Sequence, residues 1–193
     1  DDSHGMIPGE IGRMVKDGRA TPILIRQATI YPEGRMQSVL IKGIDPDQQI
    51  LEIPTDSLNI KEDTLPILIG KRMAKSNSLK KGDYITIRWR DVNGTFDALE
   101  GKIVEIMDTK VPTIDKGNVW VSLKDLQYMT QLQNQASMII VAQGIGLQED
   151  VSDWKFKTQD FLLTDINKVV KSKRVSAGIM YSILLFLAML AIF

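Results

Sequence analysis

The segment Val175 to Phe193 contains no charged residue, and its core from Ile183 to Phe193 is built wholly of Ile, Leu, Phe, Ala and Met. At about 1.5 Å per residue this stretch forms a helix of roughly 28 Å, close to the ~30 Å hydrocarbon thickness of a bilayer. The Leu, Ile and Phe residues from Ile179 onward together favour insertion by roughly 3 to 5 kcal/mol. A buried core helix is the competing reading, but a core helix is rarely apolar all round and this one lacks a polar face. The chain is therefore expected to pair a water-exposed body with a transmembrane helix over 174–193. It begins at Asp1 with neither a methionine nor an apolar leader. A piece of a longer polypeptide is expected.

The body has enough apolar material for one large domain or two small ones, with 44% hydrophobic residues in a chain of 193. Its 24 basic and 24 acidic residues balance. That balance speaks against polyanion binding as the main business of the domain and leaves room for a local basic patch. The absence of cysteine removes disulfides, thiolate nucleophiles and zinc knuckles from consideration.

Local patterns predict an α+β order. Ile7 to Met14 reads as a short helix closed by Gly18, and Pro22 opens an extended run to Ile30. The turn Tyr31 to Arg35 leads into a returning strand, Val39 to Ile41, which Asp45 and Pro46 break. Pro66 to Gly70 reads as a buried strand feeding a helix from Lys71 to about Asn77, with Met73 and Ala74 inward. After the turn Lys80 to Asp83, Ile85, Ile87 and Trp89 alternate with Tyr84, Thr86 and Arg88. Asn93 and Gly94 then make a hairpin turn into Phe96 to Leu99 and Lys102 to Met107, with a bulge expected at Gly101. Val119 to Val121 is a strand, and Ser122 with Asp125 caps a helix that buries Leu123, Leu126 and Met129. Met138 to Val141 is a further strand, and Gln143 to Asp153 is irregular. From Phe161, the spacing of Leu162, Ile166, Val169 and Val170 predicts an amphipathic stalk helix that continues into the apolar run.

The chemistry available is narrow. His4 is the sole histidine and stands near the chain start, which disfavours a catalytic role, and no spacing singles out a carboxylate pair. No catalytic residue, cofactor or metal site is expected. Gly70, Lys71 and Arg72 lack the first glycine and the Ser or Thr of a phosphate-binding loop. Asp91, Asn93, Gly94 and Glu100 have the wrong spacing for a calcium loop, and a hairpin turn explains them better. Trp89, Trp120 and Trp154 are expected in the core or at an interface. Lys168, Lys171, Lys173 and Arg174 sit at the foot of the apolar run and read as membrane-interface anchors. Counted by the positive-inside rule they favour a cytoplasmic body, although large domains are translocated largely regardless of charge.

The succession of strand, Gly70, helix, Leu79, Gly82 and Asp83, alternating strand, hairpin, and then the strand and capped helix around Val119 to Met129 resembles the extracytoplasmic domain of FtsX-like ABC transporter permeases. These include the macrolide-efflux permease MacB and the lipoprotein-releasing permeases. The resemblance runs from about Pro66 to Phe193, with Trp154, the stalk and the apolar run matching entry into the second transmembrane helix. It implies a MacB-like periplasmic core in two parts. A discontinuous porter part of split βαβ type would take 1–45 and 136–173, and an inserted β-rich α/β part would take 46–135. The interval between Val141 and Trp154 is short for the helix found there in the family, so a reduced porter part is expected.

What the resemblance implies is an inner-membrane permease domain on the periplasmic or extracellular side, without catalysis of its own. It would couple ATP hydrolysis elsewhere to mechanical change, for export, lipoprotein release or signalling. The partners implied are an ABC ATPase subunit or domain, a second permease copy or homologue, membrane lipid and a periplasmic adaptor or acceptor protein. Val111, Pro112 and Ile114, in the loop from Asp108 to Gly117, are the candidate partner contact. The rival reading is a single-span protein displaying a β-rich binding module, with Ile85, Ile87, Trp89, Val104 and Ile106 in a barrel core. A membrane-anchored hydrolase is the third.

Overall fold

The computed structural model describes residues 3–60, 64–109 and 117–142. The chain divides into one unit over Asp1–Gln148 and another over Glu149–Phe193, and all described residues belong to the first. Val111, Pro112 and Ile114 lie outside the described residues, as do the irregular stretch from Gln143, the stalk from Phe161, the anchors Lys168, Lys171, Lys173 and Arg174, and the run Val175 to Phe193. No helix among the described residues is long and apolar enough to cross a membrane.

Strand β1 (Gly5–Met6) leads to helix α1 (Gly9–Lys16). The helix starts two residues later than its apolar pattern suggests because Pro8, which has no N–H to contribute, stands at its N-cap. Glu10 in the first turn and Arg13 and Lys16 in the last suit the helix dipole, and Ile11 is fully buried. Strands β2 (Ala20–Ile30) and β3 (Gln37–Ile44) form an antiparallel hairpin around a 3₁₀ turn at Pro32–Gly34, in register from Ile23 opposite Ile44 to Ile30 opposite Gln37. A second 3₁₀ turn, Thr55–Asn59, precedes β4 (Leu65–Gly70), which runs directly into α2 (Lys71–Ser76).

Next come β5 (Tyr84–Arg90) and β6 (Phe96–Met107), paired antiparallel, and then β7 (Asn118–Ser122). The helix α3 (Leu123–Thr130) follows β7 without a break. Ser122 Oγ accepts from the Asp125 N–H at 3.1 Å and lies 2.6 Å from Asp125 Oδ2, to which it donates. This is the expected cap. The described chain ends with β8 (Gln135–Ala136), paired antiparallel with β1, and β9 (Met138–Val141).

The main sheet closes on itself. Its neighbours run β2, β3, β7, β4, β6, β5 and back to β2, so six strands form a barrel and β9 adds to the free edge of β2 at Ala20 to Ile23. The pairs β3–β7 and β4–β6 are parallel, whereas β4–β7 is antiparallel. Since α2 leaves the end of β4 and α3 leaves the end of the antiparallel β7, the two helices stand at opposite ends of the barrel. Each turns apolar side chains onto its interior: Met73 and Ala74 from α2, Leu123 and Leu126 from α3.

Period-two alternation fills that interior. Ile85, Ile87 and Trp89 face inward with Leu24, Ala28, Ile30, Val39, Ile41, Ile67, Ile69, Ile103, Val119 and Val121. Each fully buried Ile or Leu contributes roughly 1.5 to 3 kcal/mol relative to exposure. A second cluster lies on the outer face, where Ile23, Ile44, Leu68, Val104, Met107 and Trp120 pack under Leu58 of the 3₁₀ turn at Thr55–Asn59. Lys42 lies across Trp120 at 5.1 Å there, and burial pulls its ammonium pKa down.

Two expectations are corrected. Gly101 is not a bulge: it continues the β5–β6 register opposite Ile85. A Cβ there would come within 3.0 Å of both Ile67 Cγ2 and Ile87 Cδ1, so the residue is small because the barrel is filled at that point. The irregularity lies further along β6, where Ile67 pairs with Ile103 and Leu68 with Glu105, leaving Val104 as the extra residue. That insertion reverses the alternation, which is why Val104 belongs to the outer cluster while Ile106 packs against the interior one. The sheet runs across positions 45 and 46, with β2 paired to β5 and β3 to β7.

Candidate functional site

The pairing of β2 with β5 is short, covering Ala28 opposite Trp89 through Ile30 opposite Ile87. Where the two strands part, a groove of about 870 Å³ opens between the β2–β3 hairpin and the β5–β6 hairpin. Alternation decides what lines it. The outward residues are Gln27 and Thr29 on β2, Ser38 and Leu40 on β3, and Arg88 and Arg90 on β5, with Phe96 at the start of β6. Arg26, only 8% exposed, also borders the groove.

The two outward arginines are held in place. Arg88 stacks on the Phe96 ring with its guanidinium carbon 4.3 Å from the centroid, and the Arg90 guanidinium lies 5.8 Å from the same ring. Arg90 Nε donates to Gly94 O at 2.9 Å, and its guanidinium lies across Gly94 so closely that a Cβ there would sit 2.7 Å from Nη2. With φ at +88, Gly94 is also in a backbone region that other residues rarely adopt. Phe96 is 59% exposed, an unusual amount of aromatic surface left in water, and Leu40 and Val92 beside the groove are exposed as well.

The hairpin carrying these groups is tied to the end of α3. Trp89 Nε1 donates to Met129 O at 2.8 Å and the Val92 N–H to Thr130 O at 3.1 Å. Gln131, in the left-handed conformation just after the helix, donates through Nε2 to Asp91 Oδ2 at 3.0 Å and accepts from Asn93 Nδ2 at 3.0 Å. Asp91 Oδ1 accepts from the Thr95 N–H at 2.8 Å. Asp91 and Asn93 thus shape a turn, as expected. Among the described residues Asp91 is the one carboxylate lining the groove, and both its oxygens are engaged.

Chemically, the groove offers two oriented guanidiniums and an aromatic face beside apolar surface, which suits binding of an oxyanion attached to an apolar body. Elsewhere, His4 Nδ1 is 2.6 Å from Gln135 Oε1, joining the termini of the small β1–β8 ribbon. Lys71 follows β4 and pairs with Asp108 at 2.6 Å. Lys81 Nζ pairs with Glu105 Oε2 at 2.6 Å, and that bond, with the Ile106 N–H donating to the same carboxylate, holds the Glu105 pKa below the usual carboxylate range. Among the described residues no group of three His, Cys, Asp or Glu side chains is arranged to hold a metal ion.

The contact residues expected from sequence, Val111, Pro112 and Ile114, and the anchors Lys168, Lys171, Lys173 and Arg174 lie outside the described residues. The structure brings together a different set, Arg88, Arg90 and Phe96. Arg88 was legible as part of the polar face of an alternating strand. The signal available in the sequence was two arginines two residues apart, facing an aromatic across a tight hairpin.

No protein-family model matches the chain, and no curated protein matches it. Among solved structures, the chain is similar to the extracellular domain of the noncanonic ABC-type transporter YknZ from Gram-positive bacteria. The TM-score is 0.43 and the sequence identity 13%, over 82% of this chain and 78% of that one.

Proposed function

We propose that this chain is the extracytoplasmic domain of an ABC transporter permease subunit, held at the membrane by Val175 to Phe193 and moved by ATP hydrolysis on a separate ATPase. The single observation that carries this reading is the uncharged apolar run itself, which follows an α+β body made to live in water. The order of elements from Pro66 to Met129 supports it further, since the strands and helices there follow in the order that part of the resemblance needs. In this reading the domain performs no chemistry and transmits motion. Its partners are the ATPase, a second permease copy or homologue, lipid and an adaptor or acceptor protein.

The cysteine-free sequence permits a direct test. Tyr128 is 80% exposed, so Tyr128→Cys presents one thiol on the surface of the body. In intact cells expressing the full-length protein, a membrane-impermeant maleimide should label this variant, and an ATPase subunit should co-purify from detergent extracts. A thiol that reacts only after lysis, or a full-length protein that purifies without an ATPase, would sink the proposal.

One observation favours the second reading, a single-span protein displaying a β-rich binding module. The sheet closes into a barrel with Ile85, Ile87 and Trp89 inside, although Val104 belongs to the outer cluster. Counting membrane spans in the full-length protein separates the two: four with a large first loop supports the permease, and one supports the module.

A further inference from the structure

We infer that the groove between the β2–β3 and β5–β6 hairpins is a docking site for an acidic, partly apolar peptide segment of a partner protein. The inference stands apart from the permease reading, since a transporter domain and a displayed binding module would both offer such a groove to a partner.

The choice of occupant follows from charge, shape and preorganisation. Arg88 and Arg90 face the groove and, among the described residues, Asp91 is the one carboxylate lining it, in a chain whose formal net charge is zero, so positive charge is concentrated locally. The aspartate is committed to Gln131 and Thr95 and does not compete for the outward arginines. Arg88 makes no hydrogen bond or ion pair among the described residues, and its guanidinium is held against the Phe96 ring. Arg90 is fixed through Nε on Gly94 O, with Nη2 packed against Gly94, and its side chain is exposed. Two planar forks set on alternate residues of one strand suit carboxylates carried on alternate side chains of an extended peptide. Apolar residues flanking the acidic pair would meet Phe96 and Leu40, both exposed.

Other anionic partners fit less well. The opening, about 870 Å³, is wide to solvent and lined largely by exposed side chains, which suits an extended chain laid along it rather than an enclosed small ligand. A bilayer surface is engaged by clusters of roughly four to eight basic side chains, whereas among the described residues only Arg88 and Arg90 face outward here. A nucleic acid needs a long basic track, which the balanced composition does not supply.

The test is fluorescence anisotropy on the full chain in a neutral detergent, with a short fluorescein-labelled peptide of alternating Glu and Leu as probe. Its counterparts carry Gln or Lys in place of Glu. The Glu peptide should bind, the Gln and Lys peptides should bind at least roughly tenfold more weakly, and added salt should weaken the Glu complex. The double variant Arg88→Gln/Arg90→Gln should lower affinity roughly tenfold. Phe96→Leu, which removes the stacking platform and keeps both charges, should lower it by a smaller factor. Lys81→Gln deletes a charge away from the groove and should change nothing. Circular dichroism checks that each variant is folded, and Phe96→Leu provides a second reading should the double variant unfold. Equal binding of the Glu and Lys peptides, or full affinity in a folded double variant, would overturn the inference. So would arginine-dependent capture by phosphatidylglycerol vesicles in the absence of any peptide binding.

Discussion

Trp89 sits inside the barrel with its ring among aliphatic side chains, while its indole Nε1 reaches out to the Met129 carbonyl at 2.8 Å. One residue thereby joins the core, the last turn of α3 and the hairpin that carries Arg90. The Met129 carbonyl belongs to the final turn of the helix, where carbonyl groups lack partners within the helix. Replacing Trp89 with Phe keeps an aromatic ring and removes the donor. A stability loss of about 1 to 3 kcal/mol is expected in urea denaturation. Unchanged stability would mean that this hydrogen bond contributes nothing net.

Gly43 marks the closest approach of α3 to the barrel wall. A Cβ at this position would sit 3.0 Å from Leu126 Cβ and 3.1 Å from the Leu123 Cα, and a backbone atom cannot rotate away. Gly43→Ala should therefore push the helix outward and cost about 1 to 3 kcal/mol. Gly101→Ala meets only side-chain methyl carbons of Ile67 and Ile87 and should cost less. Thermal melts of the two variants, compared directly, check the order. Gly101→Ala proving the more damaging would contradict it.

Ser122 caps α3 from the end of β7. Ser122→Ala removes the acceptor for the Asp125 N–H and should lower stability by about 1 kcal/mol. Ser122→Asn, a good capping residue, should restore most of the loss. A failure of Asn to rescue would point to packing at this position as the cause.

The Lys81–Glu105 pair lends the domain a small acid sensitivity. The pKa of Glu105 is depressed in the folded state, first by its hydrogen bond with Lys81, so this contribution is present above the ordinary carboxylate range and fades as pH falls through the depressed value. Lys81 is exposed and Glu105 about a third exposed, so solvent screens the pair and Glu105→Gln should lower stability by no more than about 1 kcal/mol at neutral pH. The gap should close in acid and in high salt. A gap that widened on acidification would reverse the sign assigned here.

Local elements could be read from the chain because each depends on neighbours in sequence. The alternation of Ile85, Ile87 and Trp89, the inward Met73 and Ala74, and the Ser122 cap all rest on spacings of two to four residues. Closure of the sheet could not, since it depends on Leu40 finding Asn118 and Ala28 finding Trp89, pairings that leave no local mark. The extra residue at Val104 escaped for a related reason. It has neither glycine nor proline beside it, and Gly101 nearby is small to relieve crowding. The arginine groove was half visible: Arg88 was placed on the outer face, but that the face lies beside β2 and β3 is a fact of tertiary structure.

The parallel pairing of β3 with β7 also governs when the domain can form as it leaves the ribosome. The β2–β3 hairpin emerges early but must wait for almost all the remaining strands before both its edges are covered. Until Ser122 is synthesised, Leu24, Val39 and Ile41 have no complete enclosure, and the nascent chain depends on holding factors or on speed to avoid sticking to its neighbours.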